Sequence, residues 1–119
     1  MSGDETQLTV RDAADGVRVI EIAGEITAAS DDALRDAHER ASKGGVRAVV
    51  LDFSDLSYMN SGGIGLIVTT LIRAQRSGHR LCAMGLSAHY RELFSLTRLD
   101  EAIGVFDDEE AALAAVARS

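Results

Sequence analysis

The sequence contains no proline and no tryptophan, one cysteine, two tyrosines and three phenylalanines. Without proline, slow prolyl isomerisation cannot limit folding. With Cys82 alone, no intramolecular disulfide can form, which fits a reducing compartment. No uncharged apolar run approaches the ~18 residues needed to cross a bilayer; the longest, residues 62–72, reads as a buried helix. Positive charge is also scarce, with 12 Lys and Arg against 19 Asp and Glu, a net charge of −7 and no basic stripe. Nucleic acid and anionic membrane both require phosphate neutralisation by Lys or Arg, so neither is expected as a direct partner. The expected partner is a protein. The first residues are polar and acidic and lack the basic start and apolar core of a signal peptide. The expected location is therefore cytoplasmic.

Nucleotide and hydrolase motifs are missing as well. No Gly-Lys-Ser/Thr occurs, which excludes a P-loop, and Val68 stands where a Gly-x-Gly-x-x-Gly starting at Gly63 needs its last glycine. Ser61 is not in a Gly-x-Ser-x-Gly elbow, because Met59 stands two residues before it. A serine hydrolase would also need an oriented histidine. His38, His79 and His89 fall mid-helix, at a strand start and near a helix start, and are expected on the surface without converging. No catalytic residue, cofactor or metal is expected.

What remains is a chain of 119 residues, 46% hydrophobic and 26% charged, which suits one folded globular domain over 1–119 with a flexible tail over residues 1–6. Residues 7–11 and 17–23 are rich in Val, Ile and Thr and are separated by Asp15-Gly16, an antiparallel hairpin pattern. Val17 and Val19 alternate with Ile20 and Ile22, so partial cover is expected on both faces. Ser30-Asp31-Asp32 reads as a helix N-cap, and Ala33, Leu34, Ala37 and Ala41 form a stripe ending at Gly44-Gly45. The near-continuous apolar run 46–53 has the pattern of a central parallel strand. Ile64, Ile67, Val68, Leu71 and Ile72 make a second helical stripe, ending at Ser77-Gly78. Residues 80–84 form the next strand, and Ser87 caps a helix whose apolar residues include Tyr90, Leu93, Phe94 and Leu96. Residues 103–106 are a last strand, and the acids 107–110 open a C-terminal helix. The order predicts an α/β fold with a mixed, mostly parallel sheet of about five strands packed against four helices.

The segment Tyr58-Met59-Asn60-Ser61-Gly62-Gly63-Ile64-Gly65-Leu66 lies where the central strand gives way to the second helix. In parallel sheets, binding sites collect beyond the carboxyl ends of strands. Asn60 or Ser61 can cap the helix, and three glycines follow within four residues, each costing about 0.5–1 kcal/mol relative to alanine inside a helix. Two readings stand side by side: an exposed anion or partner surface, or a cap followed by glycines that let the helix pack closely. Asp52 is expected to close the strand or cap a turn, and Cys82 to be a small buried hydrophobe.

Three stretches together resemble the STAS family, which includes the bacterial anti-sigma factor antagonists. Ile22-Ala-Gly-Glu25-Ile26-Thr27 is similar to the family's L-x-G-E-L-D. Asp52-Phe-Ser-Asp55-Leu56-Ser-Tyr-Met-Asn60-Ser61-Gly-Gly63-Ile64-Gly65 is similar to D-L-S-x-h-D-S-[ST]-G-L-G, with h hydrophobic, and the stretch 81–99 to the segment ending in L-F-x-x-[ST]-G-L. Asn60 and Thr27 stand where the family carries acids, and Gly62 stands where it has a second hydroxyl. The resemblance implies a non-enzymatic binding module whose partner is an anti-sigma factor, often itself a serine kinase of the GHKL class, opposed by a phosphatase. It makes Ser61 the expected phosphoacceptor, and Thr27, Asn60, Gly62, Gly63, Ile64 and Leu66 the expected partner-binding residues. Leu66 falls off the main apolar stripe, so it is an exposed contact or is covered by a neighbouring loop. The chain is expected to be a monomer or weak dimer. The alternatives are an unphosphorylated STAS subunit of a transporter or larger signalling assembly, and a small serine hydrolase using Ser61.

Overall fold

The computed structural model describes residues 5–118. Strands β1 (Gln7–Ala14) and β2 (Val17–Ile26) form the opening hairpin. They are followed by a 3-10 turn (Ala28–Ser30), α1 (Asp31–Ser42), β3 (Ala48–Met59), α2 (Ser61–Ser77) and β4 (Arg80–Met84). Then come α3 (Ala88–Leu96), a second 3-10 turn (Leu99–Glu101), β5 (Gly104–Phe106) and α4 (Glu109–Ala117). The strands lie side by side in chain order, with β1 antiparallel to β2 and every later pair parallel. This is the expected mixed five-stranded, four-helix α/β fold. Of the expected tail, residues 1–4 lie outside the described residues, and the Thr6 hydroxyl donates to the Glu25 carbonyl at 2.6 Å.

Period-two alternation along the strands builds two cores. On one face Ile20, Ile22, Val49 and Leu51 meet Leu34 and Ala37 of α1, Ile67 and Leu71 of α2 and Phe94 of α3. On the other, Val17, Val19, Ala48, Val50, Cys82 and Met84 meet Ala112 and Val116 of α4. The central strand β3 is thus covered on both sides, which explains its unbroken apolar run. Each large aliphatic side chain buried this way contributes about 1.5–3 kcal/mol.

Two strands run further than their apolar patterns. β2 and β3 stay paired through register shifts between Glu21 and Ala23 and between Gly24 and Glu25, so that Ile26 ends opposite Met59. Such bulges absorb an extra residue while the ladder continues. Residues 54–57, Ser-Asp-Leu-Ser, therefore belong to the strand, beyond the apolar run that ends at residue 53.

Helix α2 is turned relative to its expected stripe. Its buried residues are Gly63, Ile67, Thr70, Leu71 and Ala74, whereas Val68 and Ile72 are exposed. The reasons are physical: Gly63 allows backbone-to-backbone approach, and Thr70 satisfies its hydroxyl on the Leu66 carbonyl at 2.8 Å. A threonine bonded that way can be buried without an unpaired polar atom. Leu96, expected in the α3 stripe, is also exposed: it stands in the last turn of α3, and the buried residue of that helix is Phe94.

Candidate functional site

The register of β2 and β3 makes the site. Because the parallel neighbours end together at Ile26 and Met59, the residues that follow them, Thr27 and Asn60, leave the sheet side by side. The Asn60 N–H donates to the Ile26 carbonyl at 3.3 Å and ties the two exits together. Behind them, the Tyr90 hydroxyl of α3 accepts the Met59 N–H at 2.8 Å and fixes the strand end.

Each exit is capped by its own side chain. Asn60, in extended backbone, is the N-cap of α2, and its Oδ1 accepts the Gly63 N–H at 2.9 Å. Thr27 caps the 3-10 turn, accepting the Ala29 N–H at 3.2 Å, while Ser30 Oγ accepts the Thr27 N–H at 3.0 Å. Ser30 therefore works backwards on Thr27 and makes no side-chain cap on α1, contrary to the sequence expectation. The competition is local: one hydroxyl has two helix starts within reach, and the tighter turn takes it.

Ser61 is the first residue of α2 and is exposed, and its hydroxyl has no hydrogen-bond partner among the described residues. The N–H groups of Ser61 and Gly62 are also without partners there, since Asn60 occupies those of Gly63 and Ile64. No acid stands in the first turn of this 17-residue helix, whose dipole places partial positive charge at that end. A negative group on Ser61 would meet unengaged donors and no carboxylate in that turn.

The three glycines separate into different tasks. A Cβ on Gly63 would lie 2.2 Å from the Ile26 carbonyl oxygen, so this glycine is needed for packing and is buried away from any partner. At Gly62 a Cβ would sit 3.0 Å from the Ala28 backbone nitrogen, a tight fit between the two exits. At Gly65 nothing lies within 4 Å, and the position is exposed. Both readings of the glycine run hold, at different residues.

Ile64 and Leu66 are half-buried and pack on the main core, so Leu66 is neither fully exposed nor fully covered. Sequence reasoning missed the outer face of α2: Ser61, Gly65, Val68 and Ile72 recur at helical spacing, and all are exposed. Tyr58, at the strand end before Asn60, is 47% exposed and adds an aromatic ring to the same end of the sheet. A shallow cavity of about 450 Å³ lined by Thr27, Ser30, Glu25 and Ala33 adjoins Thr27.

Other candidates resolve simply. Asp52 Oδ1 accepts the Ser54 N–H at 3.0 Å and the Ser54 hydroxyl at 2.6 Å, a turn inside β3. Cys82 is fully buried, and that burial raises its thiol pKa. Asp108 caps α4 on the Ala111 N–H at 2.9 Å. The histidines depart from expectation: His38 and His79 are buried and face each other, Nε2 to Nε2 at 3.1 Å, while His89 is exposed beside Tyr90. They lie 41 residues apart in sequence, and α1 meets the α2–β4 junction only in the fold. Among the described residues no group of three or more His, Cys, Asp or Glu side chains could hold a metal ion, and no helix is long and apolar enough to cross a membrane.

Comparison with known proteins places this geometry. The chain is 26% identical over 91 residues to the anti-sigma-B factor antagonist of Staphylococcus aureus, covering 76% of this chain and 84% of that protein. Its structure matches an anti-sigma factor antagonist from Mycobacterium paratuberculosis with a TM-score of 0.76 and 28% identity, over 97% of each chain. It shares its fold with the unphosphorylated form of the anti-sigma factor antagonist SpoIIAA, at a TM-score of 0.70 and 20% identity, over 95% of this chain and 99% of that one. The family model described as STAS domain matches residues 9–112. With nearly the whole chain matched, the protein belongs to the STAS domain family.

Proposed function

We propose that this protein is an anti-sigma factor antagonist that binds its anti-sigma factor through the start of α2 and the adjoining Thr27 turn, and that phosphorylation of Ser61 ends the complex. The observation that carries the reading is the exposed, unpartnered Ser61 hydroxyl at the start of a long helix with no acid in its first turn. Similarity over the full chain to a known antagonist supports the role. The partner is a protein of the serine kinase type, with a phosphatase to reset Ser61. It would touch Thr27, Asn60, Gly62 and the outward sides of Ile64 and Leu66, with Gly65, Val68 and Ile72 extending the surface along α2. Gly63 acts beneath that surface by setting the depth of the helix.

A charge switch is large enough for the task. A phosphoserine adds about −1.5 to −2 charges. Against a partner carboxylate at about 5 Å and an effective dielectric of ~20, each added charge costs on the order of 3 kcal/mol. A micromolar complex is worth about 8 kcal/mol, so one phosphate at a buried contact abolishes most of it without moving the backbone.

Titration calorimetry against the co-purifying anti-sigma factor tests this. Wild type and Ser61→Ala should bind alike, and Ser61→Glu should bind at least 100-fold more weakly. Equal affinity of all three would remove Ser61 from the interface.

A further inference from the structure

The buried histidine pair lies outside the site just described, and its inference rests on the fold alone. His38 stands in the second half of α1, and His79 follows the Gly78 cap that ends α2 and leads into β4. Their ring centroids are 5.2 Å apart with planes inclined by 42°, and they are 3% and 8% exposed. At 3.1 Å the Nε2 atoms are joined by one N–H···N hydrogen bond, which requires one ring to donate and the other to accept. Ser42 bears on which. Its hydroxyl donates to the His38 carbonyl at 2.6 Å, so its oxygen, 3.4 Å from His38 Nε2, presents a lone pair there. That lone pair favours the proton on His38 Nε2, with His79 Nε2 at 3.1 Å as the nearer acceptor.

We propose that the apposed imidazoles of His38 and His79 form an acid-released latch that ties the C-terminal half of α1 to the junction of α2 and β4. A proton added to His79 Nε2 puts hydrogen on both facing nitrogens. The bond is lost, and a charge is left buried with no counter-ion in contact among the described residues. The groups around the latch make that charge costly. Arg73 and Arg76 come from α2 and Lys43 follows α1; among the described residues Glu39 is the one carboxylate lining the cavity beside His38, and the neighbouring Arg80 points to the other face of the sheet, where it donates to the Ala115 carbonyl. Arg18 of β2 donates to the Ala41 and Lys43 carbonyls and adds positive charge at the end of α1. Ser42 and Ser77 complete the lining. Burial, the neighbouring His79 and Arg73 push His38 down to about 4, and burial lowers His79. The pair therefore stays neutral and latched at neutral pH and takes up protons only in acid. A metal-site reading is weaker, because among the described residues no third ligand joins the two imidazoles. Release would be felt at Thr27, since the 3-10 turn it caps runs directly into α1.

The test is a pH series from 8 to 4 on the full chain, with imidazole nitrogen NMR and amide hydrogen exchange corrected for its intrinsic pH dependence. Free histidine added to the sample is the reference. His38 is expected as the Nε2–H tautomer and His79 as the Nδ1–H tautomer, both neutral well below the midpoint of free histidine. As they protonate, amides of α1 from residue 37 onward should lose protection at least tenfold. His79→Gln keeps an acceptor oxygen but cannot charge, and should retain that protection at the same acidic pH. If His38 and His79 titrate together with free histidine, or if His79→Gln loses α1 protection as wild type does, the latch is wrong. Should that variant fail to fold, the wild-type tautomers decide alone: two identical tautomers would overturn the proposal.

Discussion

The two ends of α2 are built on opposite principles. At its start, Asn60 spends its side chain on one N–H, the next residues are Ser61, Gly62 and Gly63, and polar groups are left open to solvent. At its end, Gly78 closes the helix in the left-handed conformation, φ 79°, and His79 is sealed against His38. One end keeps its hydrogen-bonding capacity free for something outside the molecule, and the other pairs its polar groups internally. In the proposed reading, the open end carries recognition and the closed end anchorage.

The sharpest way to break this comparison is at Gly63. Gly63→Ala would drive a Cβ into the Ile26 backbone and should cost about 3 kcal/mol or more, read as a lower urea midpoint with unchanged slope. A neutral result would mean that α2 is not held at the depth described.

Acid should act at the other end. Below pH 6.5 the unfolded chain binds protons at histidine that folded His38 refuses until about 4, and burial lowers His79 in the same direction. Stability is therefore full above about pH 7.5 and falls as pH drops through that window, by roughly 2 kcal/mol at pH 5 from His38 alone. Chemical denaturation at pH 7.5 and 5 should show the drop in wild type and a smaller one in His79→Gln.

Smaller effects return to the open end. Asn60→Ala removes the cap and should cost about 1 kcal/mol. Gly65→Ala meets only open space, so it should stabilise by about 0.5–1 kcal/mol, the reverse of Gly63→Ala two residues away. The same Gly65 variant should weaken partner binding if the flat outer face of α2 is where the partner sits.

Much of the fold was legible because it rests on alternation. The opposite burial of Val19 and Ile20, the unbroken run of β3 and the Gly78 stop are properties of neighbouring residues. The stretch from Asn60 to Leu66 was legible for the same reason: a cap, a hydroxyl and glycines at a strand-to-helix junction. What was illegible depended on distant partners. Residues 54–57 are strand only because β2 continues alongside through its bulges. The buried stripe of α2 includes Gly63 and Thr70, which an apolar count ignores, so the helix was read with Val68 and Ile72 turned inward. His38 and His79 meet because α1 and the α2–β4 junction pack together, and no local pattern announces it.

The central claim is that the open end of α2 is a switch operated at Ser61. The most direct measurement is intact-mass spectrometry with site mapping on the protein purified from the organism that makes it, beside a Ser61→Ala control grown identically. The account predicts a population heavier by one phosphate, mapped to Ser61 and absent from the control. A phosphate on another residue, or none across growth and stress conditions, would contradict it.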